Sequence, residues 1–381
     1  MSLLKEALRS LASYAAVYTG LCALGRRLYP KPGAVIFYGH RVAADDEGYL
    51  QGLRPEWLDA QLAYLTRHYE VLPLSRLLDC YEQRRPVPPR SVVLTFDDGF
   101  RDNLTAGLPV LQRYGVTATI FLATGCVSTG ELPWPQALGF MFQHTPRGAI
   151  TLDLAGRPWE LDLTGAAARY RAYLRAKKYL GTRPRQERET CLARWARLLE
   201  VEPPRDRMLS WTDVATLRAA GFEFGAHTVS HPWLAEIPFA EAREEMERSR
   251  ADLREHLSLE RPPFCFPAGS CNAALRRLAR ELGFRSAFLP NPPHRVNTLD
   301  NSHPFALGRM GLPNAPALYL EAELDGPLPV LRRWGWRLLG RRPRGAEVAA
   351  EAEELRPMQE ASRQPVPEGN PAGPARGNVP S

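Results

Sequence analysis

From Lys31 to about Asp325 the chain alternates short β-rich runs with amphipathic helical stretches, and this rhythm limits the folds open to it more than any other feature. VIFY (35–38) precedes the helical PEWLDAQLAYLTRHY (55–69), and EVLPL (70–74) precedes SRLLDCYEQ (75–83). SVVLTFDDG (91–99) is followed by DNLTAGLPVLQRYG (102–115), then by TATIFLA (117–123). Later come TDVATLRAAG (212–221), FEFGAHT (222–228), a long charged helix from about Phe239 to His256, PFCFP (263–267), AALRRLARELG (273–283) and SAFL (286–289). Repeated β-then-α units predict an α/β fold with a parallel sheet and helices outside, closed as a barrel or open and doubly wound. In both forms functional sites gather at the C-terminal ends of the strands.

The rhythm breaks between Leu132 and Ser210, a stretch with a predicted hairpin over 151–163 and two Arg-rich helical runs ending near Glu200. An insertion at about 132–210, on the strand ends, would serve as a lid or substrate wall. Residues 1–30 carry an apolar run from Leu11 to Leu24 between Arg9 and Arg26, short of the ~20 residues a membrane span needs. They read as an amphipathic helix, lying on the protein or on a membrane surface. Glu6 in the would-be basic region, with no clean cleavage site after the run, disfavours a signal peptide, so the expected location is cytoplasmic or peripheral at the inner membrane. The stretch 341–381, rich in Pro, Gly, Glu and Arg, has the composition of a disordered tail. The net charge of +7 is spread along the chain rather than gathered into a basic arm, so nucleic acid is not an expected partner. Six cysteines at 22, 80, 126, 191, 265 and 271 form no C-x-x-C pair, which argues against a zinc finger or a disulfide scaffold.

TFDDG (95–99) closes an apolar run that would be buried on both faces of a parallel strand. Successive strand residues point to opposite sides, so Asp97 and Asp98 can share a site only if the strand begins to turn there, as Gly99 permits. D-D-G is also ordinary turn chemistry. The second element, FEFGAHTVSH (222–231), decides between the two. Its residues alternate like a strand, which puts His227 at a strand end and His231 in the loop beyond, on the same rim as Asp98. One carboxylate and two imidazoles leave positions open for water, as a catalytic divalent site requires. Asp98, His227 and His231 are then metal ligands, and Asp97 is left as a base able to take a proton from water.

TFDDG, HTVSH and a strand ending in FPAG resemble the motifs T-F-D-D-G, H-[ST]-x-x-H and R-x-P-[YG] of the NodB-homology polysaccharide deacetylases, carbohydrate esterase family four. VIFYGHRV, SWTDVATLRAAGFEFGAHTVSHPWL and FALGRMGLP resemble its exopolysaccharide deacetylase branch, over about residues 34–313. The resemblance implies a distorted (β/α)7 barrel over 31–325 and metal-dependent removal of N-acetyl, sometimes O-acetyl, groups from a polysaccharide or oligosaccharide. It implies Asp97 as base and Asp98, His227 and His231 around a divalent metal, usually zinc, with the backbone N–H of Ala268 facing the oxyanion. Two motif positions depart from the family. Cys265 stands where its arginine orients the base, and Arg309 is the residue that could replace that charge. The late leucine-x-histidine motif is absent, although His294 and His303 lie in that part of the chain; His40, at the end of the first strand, is the expected general acid. Asp102 and Asn103, just past TFDDG, would contact substrate or cap the next helix, and capping is the expected role. Hydrolysis of O-acetyl groups, and glycan binding without catalysis, are the competing functions.

Overall fold

The computed structural model of the protein describes residues 2–28, 33–154, 156–290 and 296–326; the expected tail at 341–381 and His294 lie outside the described residues. Seven parallel strands form the core: β1 (Ala34–Gly39), β2 (Ser91–Asp98), β3 (Thr119–Leu122), β4 (Glu223–Ala226), β5 (Phe264–Cys265), β6 (Ala287–Pro290) and β7 (Leu307–Gly311). Each pairs with the next, and β1 pairs with both β2 and β7, which closes the sheet into a (β/α)7 barrel. EVLPL contributes less strand than expected. Only Glu70–Val71 pairs, at the foot of β2, because Pro73 fixes the chain for the helix Leu74–Glu82 that follows.

All eight residues of β2 are buried, as a β-branched run covered on both faces requires. Val93 points inward with Ile36, Phe121, Cys265, Phe288 and Leu307. Val92, Leu94 and Phe96 point outward under the helix Pro55–His68, against Leu58, Leu62 and Leu65. Each such side chain contributes about 1.5–3 kcal/mol by leaving water. The helix Leu74–Glu82 plugs the barrel's foot with Leu74, Leu77, Leu78 and Tyr81, and Ser75 N donates to the Glu223 carboxylate at the start of β4, 3.0 Å away.

The opposite rim is set by register. Asp98 pairs with Leu122, Leu122 with Ala226 and Ala226 with Phe264, so the residue after Ala226 emerges at the level of Asp98. The segment expected as an insertion carries the helix Trp134–His144, the hairpin Ala149–Leu154 and Arg157–Asp162, and the helices Ala166–Gly181 and Arg185–Leu199. These bury a separate cluster around Trp134, Phe142, Tyr173, Leu180 and Trp195. The segment rejoins the barrel at the rim, where Leu209 N donates to Gly99 O at 2.9 Å.

The N-terminal stretch is two helices rather than one, Ser2–Tyr18 and Leu21–Leu28. They part at Gly20, whose φ of 76° a helix cannot hold. Both rest on the helix Ala317–Leu324: Ala16 and Cys22 pack against Ala322, Tyr319 Oη donates to Ser10 Oγ at 2.6 Å, and Arg26 pairs with Glu321 at 2.7 Å.

Candidate metal centre

Backbone strain brings the two carboxylates of TFDDG to one place. By strand parity Asp97 points into the barrel beside Val93 and Thr95, and Asp98 should point away. Asp98 instead takes φ 73° and Gly99 φ 88°, which swings the Asp98 side chain over the rim. A Cβ on Gly99 would come 2.9 Å from Leu122 Cδ2, so this turn needs a glycine. Thr228 at φ 65° and His231 at φ 59° bend the second motif in the same way. Left-handed residues without a glycine's freedom cost about 1–3 kcal/mol each and persist where the surroundings over-determine them.

The bends converge. His231 Nε2 lies 3.2 Å and His227 Nε2 3.4 Å from Asp98 Oδ1, with all three side chains buried. His227 Nδ1 is 2.8 Å from Cys265 O; a carbonyl only accepts, so Nδ1 carries the proton and Nε2 presents a lone pair toward Asp98. Both Asp98 oxygens and His227 Nε2 are buried without a hydrogen-bond partner. Acceptors aimed at one point and left unsatisfied cost about 1–3 kcal/mol each unless a cation joins them, and one carboxylate with two imidazoles suits a divalent cation. Burial pushes His231 below the ordinary imidazole value against the pull of Asp98, whereas Cys265 and Asp98 hold His227 above it against burial, with a proton that a bound cation would displace. Burial alone would raise the Asp98 carboxyl, but His231 and His227 hold it well below the usual range.

A second donor cluster, Asp97, His227 and Cys265, lies beside the first. It already holds a cation. Arg309, from β7, donates from Nη1 to Asp97 Oδ1 at 2.7 Å and from Nη2 to Asp97 Oδ2 at 2.6 Å, and also reaches Thr95 Oγ1 at 3.0 Å and Cys265 Sγ at 2.8 Å. The guanidinium crosses the barrel into the space that a cysteine, rather than a longer side chain, leaves on β5. Burial opposes ionisation of Asp97, and the fork of Arg309 overcomes it, so the carboxyl sits below its ordinary value. The Cys265 thiol is pushed up by burial and stays protonated at neutral pH.

The remaining expected residues divide. His40, half-buried at the end of β1, faces the pair closely enough to lower both Asp97 and Asp98. Ala268, exposed, takes φ 52° in the turn Pro267–Gly269 that follows β5, whose Pro267 is buried. His303 belongs elsewhere: its neighbours are Arg276 and Arg280, and burial with those charges pushes it down to about 4. The capping expected of Asp102 is corrected. Its carboxylate takes Arg41 Nε and Val42 N, each at 3.0 Å, because the buried Arg41 offers a charge-assisted partner that a helix N–H cannot match. Asn103 likewise donates from Nδ2 to His40 O at 2.9 Å, so both residues tie down the loop carrying His40.

Four residues escaped the sequence reading: Glu245, Arg188, Trp134 and Lys177. Glu245, buried on the helix Phe239–Leu257, accepts from Val229 N at 2.8 Å, Ser230 N at 2.9 Å and Ser230 Oγ at 2.6 Å, clasping the loop between the histidines. Arg188 Nη2 donates to Ser230 Oγ at 3.1 Å and Trp134 Nε1 to His231 O at 2.9 Å, so the insertion holds the same loop from its other side. Lys177, on the insertion helix Ala166–Gly181, lies over the Tyr173 ring and is pushed down by burial, with Asp98 as the acidic group that opposes the shift. Three donors in a five-residue H-x-x-x-H loop could have pointed to a buried acid; nothing in the sequence distinguishes Lys177 from Lys178.

The sequence model of the polysaccharide deacetylase family matches residues 84–287, more than half of the chain. The chain belongs to the polysaccharide deacetylase family. Two curated relatives, the poly-β-1,6-N-acetyl-D-glucosamine N-deacetylases of Escherichia coli strain K12 and of Escherichia coli O157:H7, are each 30% identical over 95 residues. That match spans 24% of this chain and 14% of those proteins. Among solved structures, IcaB from Ammonifex degensii aligns with a TM-score of 0.50 at 19% identity, over 78% of this chain and 97% of that one, which is a likeness of fold. A Streptococcus pyogenes deacetylase, PplD, in complex with acetate aligns with a TM-score of 0.49 at 18% identity, over 77% and 96%. The chain therefore has the barrel of its family, with the arginine that pairs with Asp97 carried on β7.

Proposed function

We propose that this deacetylase hydrolyses N-acetyl groups on the amino sugars of a polysaccharide, using a divalent cation, zinc by its donor set, held by Asp98, His227 and His231. One observation carries the reading: the unpartnered oxygens of Asp98 stand between two imidazoles, beside a second carboxylate already clamped by an arginine. The cation would acidify a water and polarise the acetyl carbonyl. Asp97 accepts that water's proton. Arg309 keeps Asp97 ionised and fixed, which makes it a weak base of constant geometry; the acidified water compensates for the weakness. The Ala268 N–H faces the developing oxyanion, and a left-handed residue in a short turn is one way to aim a backbone donor out of the rim. His40 protonates the departing amine from the other side, its loop held by Asp102 and Asn103. N-acetyl rather than O-acetyl substrates are supported by the curated relatives matched in part, which are N-deacetylases of poly-β-1,6-N-acetyl-D-glucosamine.

Acetate release from N-acetylated β-1,6-linked glucosamine oligomers, set against O-acetylated xylan, tests the proposal. Release from the amino-sugar oligomers supports it. Acetate from xylan alone moves the reading to an esterase, and tight glycan binding without acetate from either moves it to a binding protein.

A further inference from the structure

The insertion helix Ala166–Gly181 is held against the metal rim at both ends. At its C-terminal end a Cβ on Gly181 would come 2.2 Å from the Trp233 ring, so a larger residue would push the helix off the segment just past His231. One turn back stands Lys177, on which the charge of Asp98 acts. Nearer the start of the helix, Tyr170 and Tyr173 meet Tyr49, with ring centroids 5.1 and 4.9 Å away. Tyr49 sits at the tip of the small hairpin of Asp46–Glu47 and Leu50–Gln51, in the loop that carries His40 away from β1. The helix therefore crosses the rim from the loop after β4 to the loop after β1, passing Asp98 between them.

The tip of that hairpin is built to hold one ring in place. Tyr49 takes φ 58° directly after Gly48 at φ 62°, and a left-handed residue other than glycine persists where its surroundings over-determine it, as at ligand clamps. The surroundings here are a close backbone approach. A Cβ on Gly139 would come 2.2 Å from Gly48 O, and Gly48 N donates to Gln143 Oε1 at 2.9 Å. The hairpin is thus seated on the helix Trp134–His144, which fixes where the Tyr49 ring stands.

The aromatic trio is open on one side. Tyr173 is buried and Tyr49 half-buried, but Tyr170 is 45% exposed, and it stacks on Tyr173 at 6.1 Å. The Lys177 ammonium lies 5.5 Å from the centre of the Tyr173 ring, and seven residues of helix put it roughly 10 Å from Tyr170 along the axis. An aromatic face followed by a cation, leading to a hydrolytic centre, has the chemistry to hold sugar rings. Their C–H faces lie on the aromatic ring, and their oxygens accept from the ammonium.

We propose that Tyr170, Tyr49 and Lys177 form a sugar-binding subsite on the insertion, which takes the units flanking the one whose acetyl group is removed. The subsite rests on the deacetylation proposed above, because the unit at the metal centre sets where its neighbours lie. Tyr170 offers its open face to one sugar, with Tyr49 and Tyr173 backing that ring. Lys177 donates to an oxygen of the unit between this platform and the centre. The glycan chain is the favoured occupant because the surface is continuous with the site: one helix carries both the platform and the cation facing Asp98.

Calorimetric binding of N-acetylated β-1,6-linked glucosamine oligomers, from the disaccharide to the hexasaccharide, to the full-length Asp97→Asn chain loaded with zinc tests the subsite. Acetate release by the wild type is measured on the same oligomers. Affinity should rise with length by about tenfold. Tyr170→Ala should remove that gain and Tyr170→Phe keep it, both with the melting temperature of the parent chain. Lys177→Met should weaken the longer oligomers, and Lys177→Arg restore most of the loss. Equal affinity for every length, or a gain untouched by Tyr170→Ala and Lys177→Met, would overturn the subsite. Acetate release that does not depend on length would also overturn it, while leaving deacetylation standing. Length-dependent binding lost in Tyr170→Ala, with no acetate from any oligomer, would support the subsite and remove the deacetylation.

Discussion

Replacing Arg309 with Met removes the cation from Asp97 and leaves a carboxylate that is only 3% exposed. Two hydrogen bonds, at 2.7 and 2.6 Å, disappear at once. Breaking one side of a buried pair costs about 3–5 kcal/mol while the remaining partner stays charged. Asp97 can relieve that cost by taking up a proton, so its carboxyl pKa rises in the variant. The sign follows from the wild-type direction. Arg309 holds the Asp97 carboxyl below its ordinary value, so in the wild type the pair contributes stability above the unfolded carboxyl pKa and loses it as pH falls through the lowered folded value. In Arg309→Met the folded pKa lies above the unfolded one. The variant's stability deficit is then largest near neutrality and shrinks on acidification. The acidic limb of kcat/KM should move to higher pH, with activity at pH 7 reduced by about a hundredfold. Rate profiles on an N-acetylated oligosaccharide, paired with urea melts at pH 5 and pH 7, measure both. An unmoved acidic limb with the same stability loss at every pH would refute the assignment of Arg309 as the counterion of Asp97.

Asp97→Asn should keep bound metal, by elemental analysis, yet lose acetate release by a thousandfold or so, since the geometry survives and the proton acceptor does not. Glu245→Ala removes three hydrogen bonds from the loop between His227 and His231; metal affinity followed by competition with a chromophoric chelator should fall by about tenfold or more, with Glu245→Gln between the two. Lys177→Met should lower kcat/KM on a glycan by about tenfold, as expected for loss of one cation facing the site. Its melting temperature should not fall, because burial disfavours the ammonium more than the Asp98 charge restores it.

The barrel's strands were legible because runs such as SVVL and TIFL lack helical periodicity and are bounded by polar ends. Closure was not, since pairing of β1 with β7 joins segments more than 260 residues apart in sequence and leaves no local pattern. The position of Asp98 and the histidines at strand ends could be read from alternation, whereas the left-handed turns at Asp98, Thr228 and His231 that aim them are conformations their residue types disfavour. Asp102 was misread because an acid after a turn is a helix cap in most settings; here a buried arginine 61 positions away takes it. Glu245 stands in FAEAREEMERSRADLREHL among acids that face solvent, and only the folded loop singles it out. The break at Gly20 was visible as a residue but hidden by the apolar run around it.

The most direct test of the site is metal content and acetate release on the same sample, before and after chelation and again after zinc is returned. About one equivalent of metal per chain, loss of acetate release with its removal, recovery on reloading, and no recovery in Asp98→Ala are the expected results. Undiminished release from chain stripped of metal would contradict the assignment of Asp98, His227 and His231.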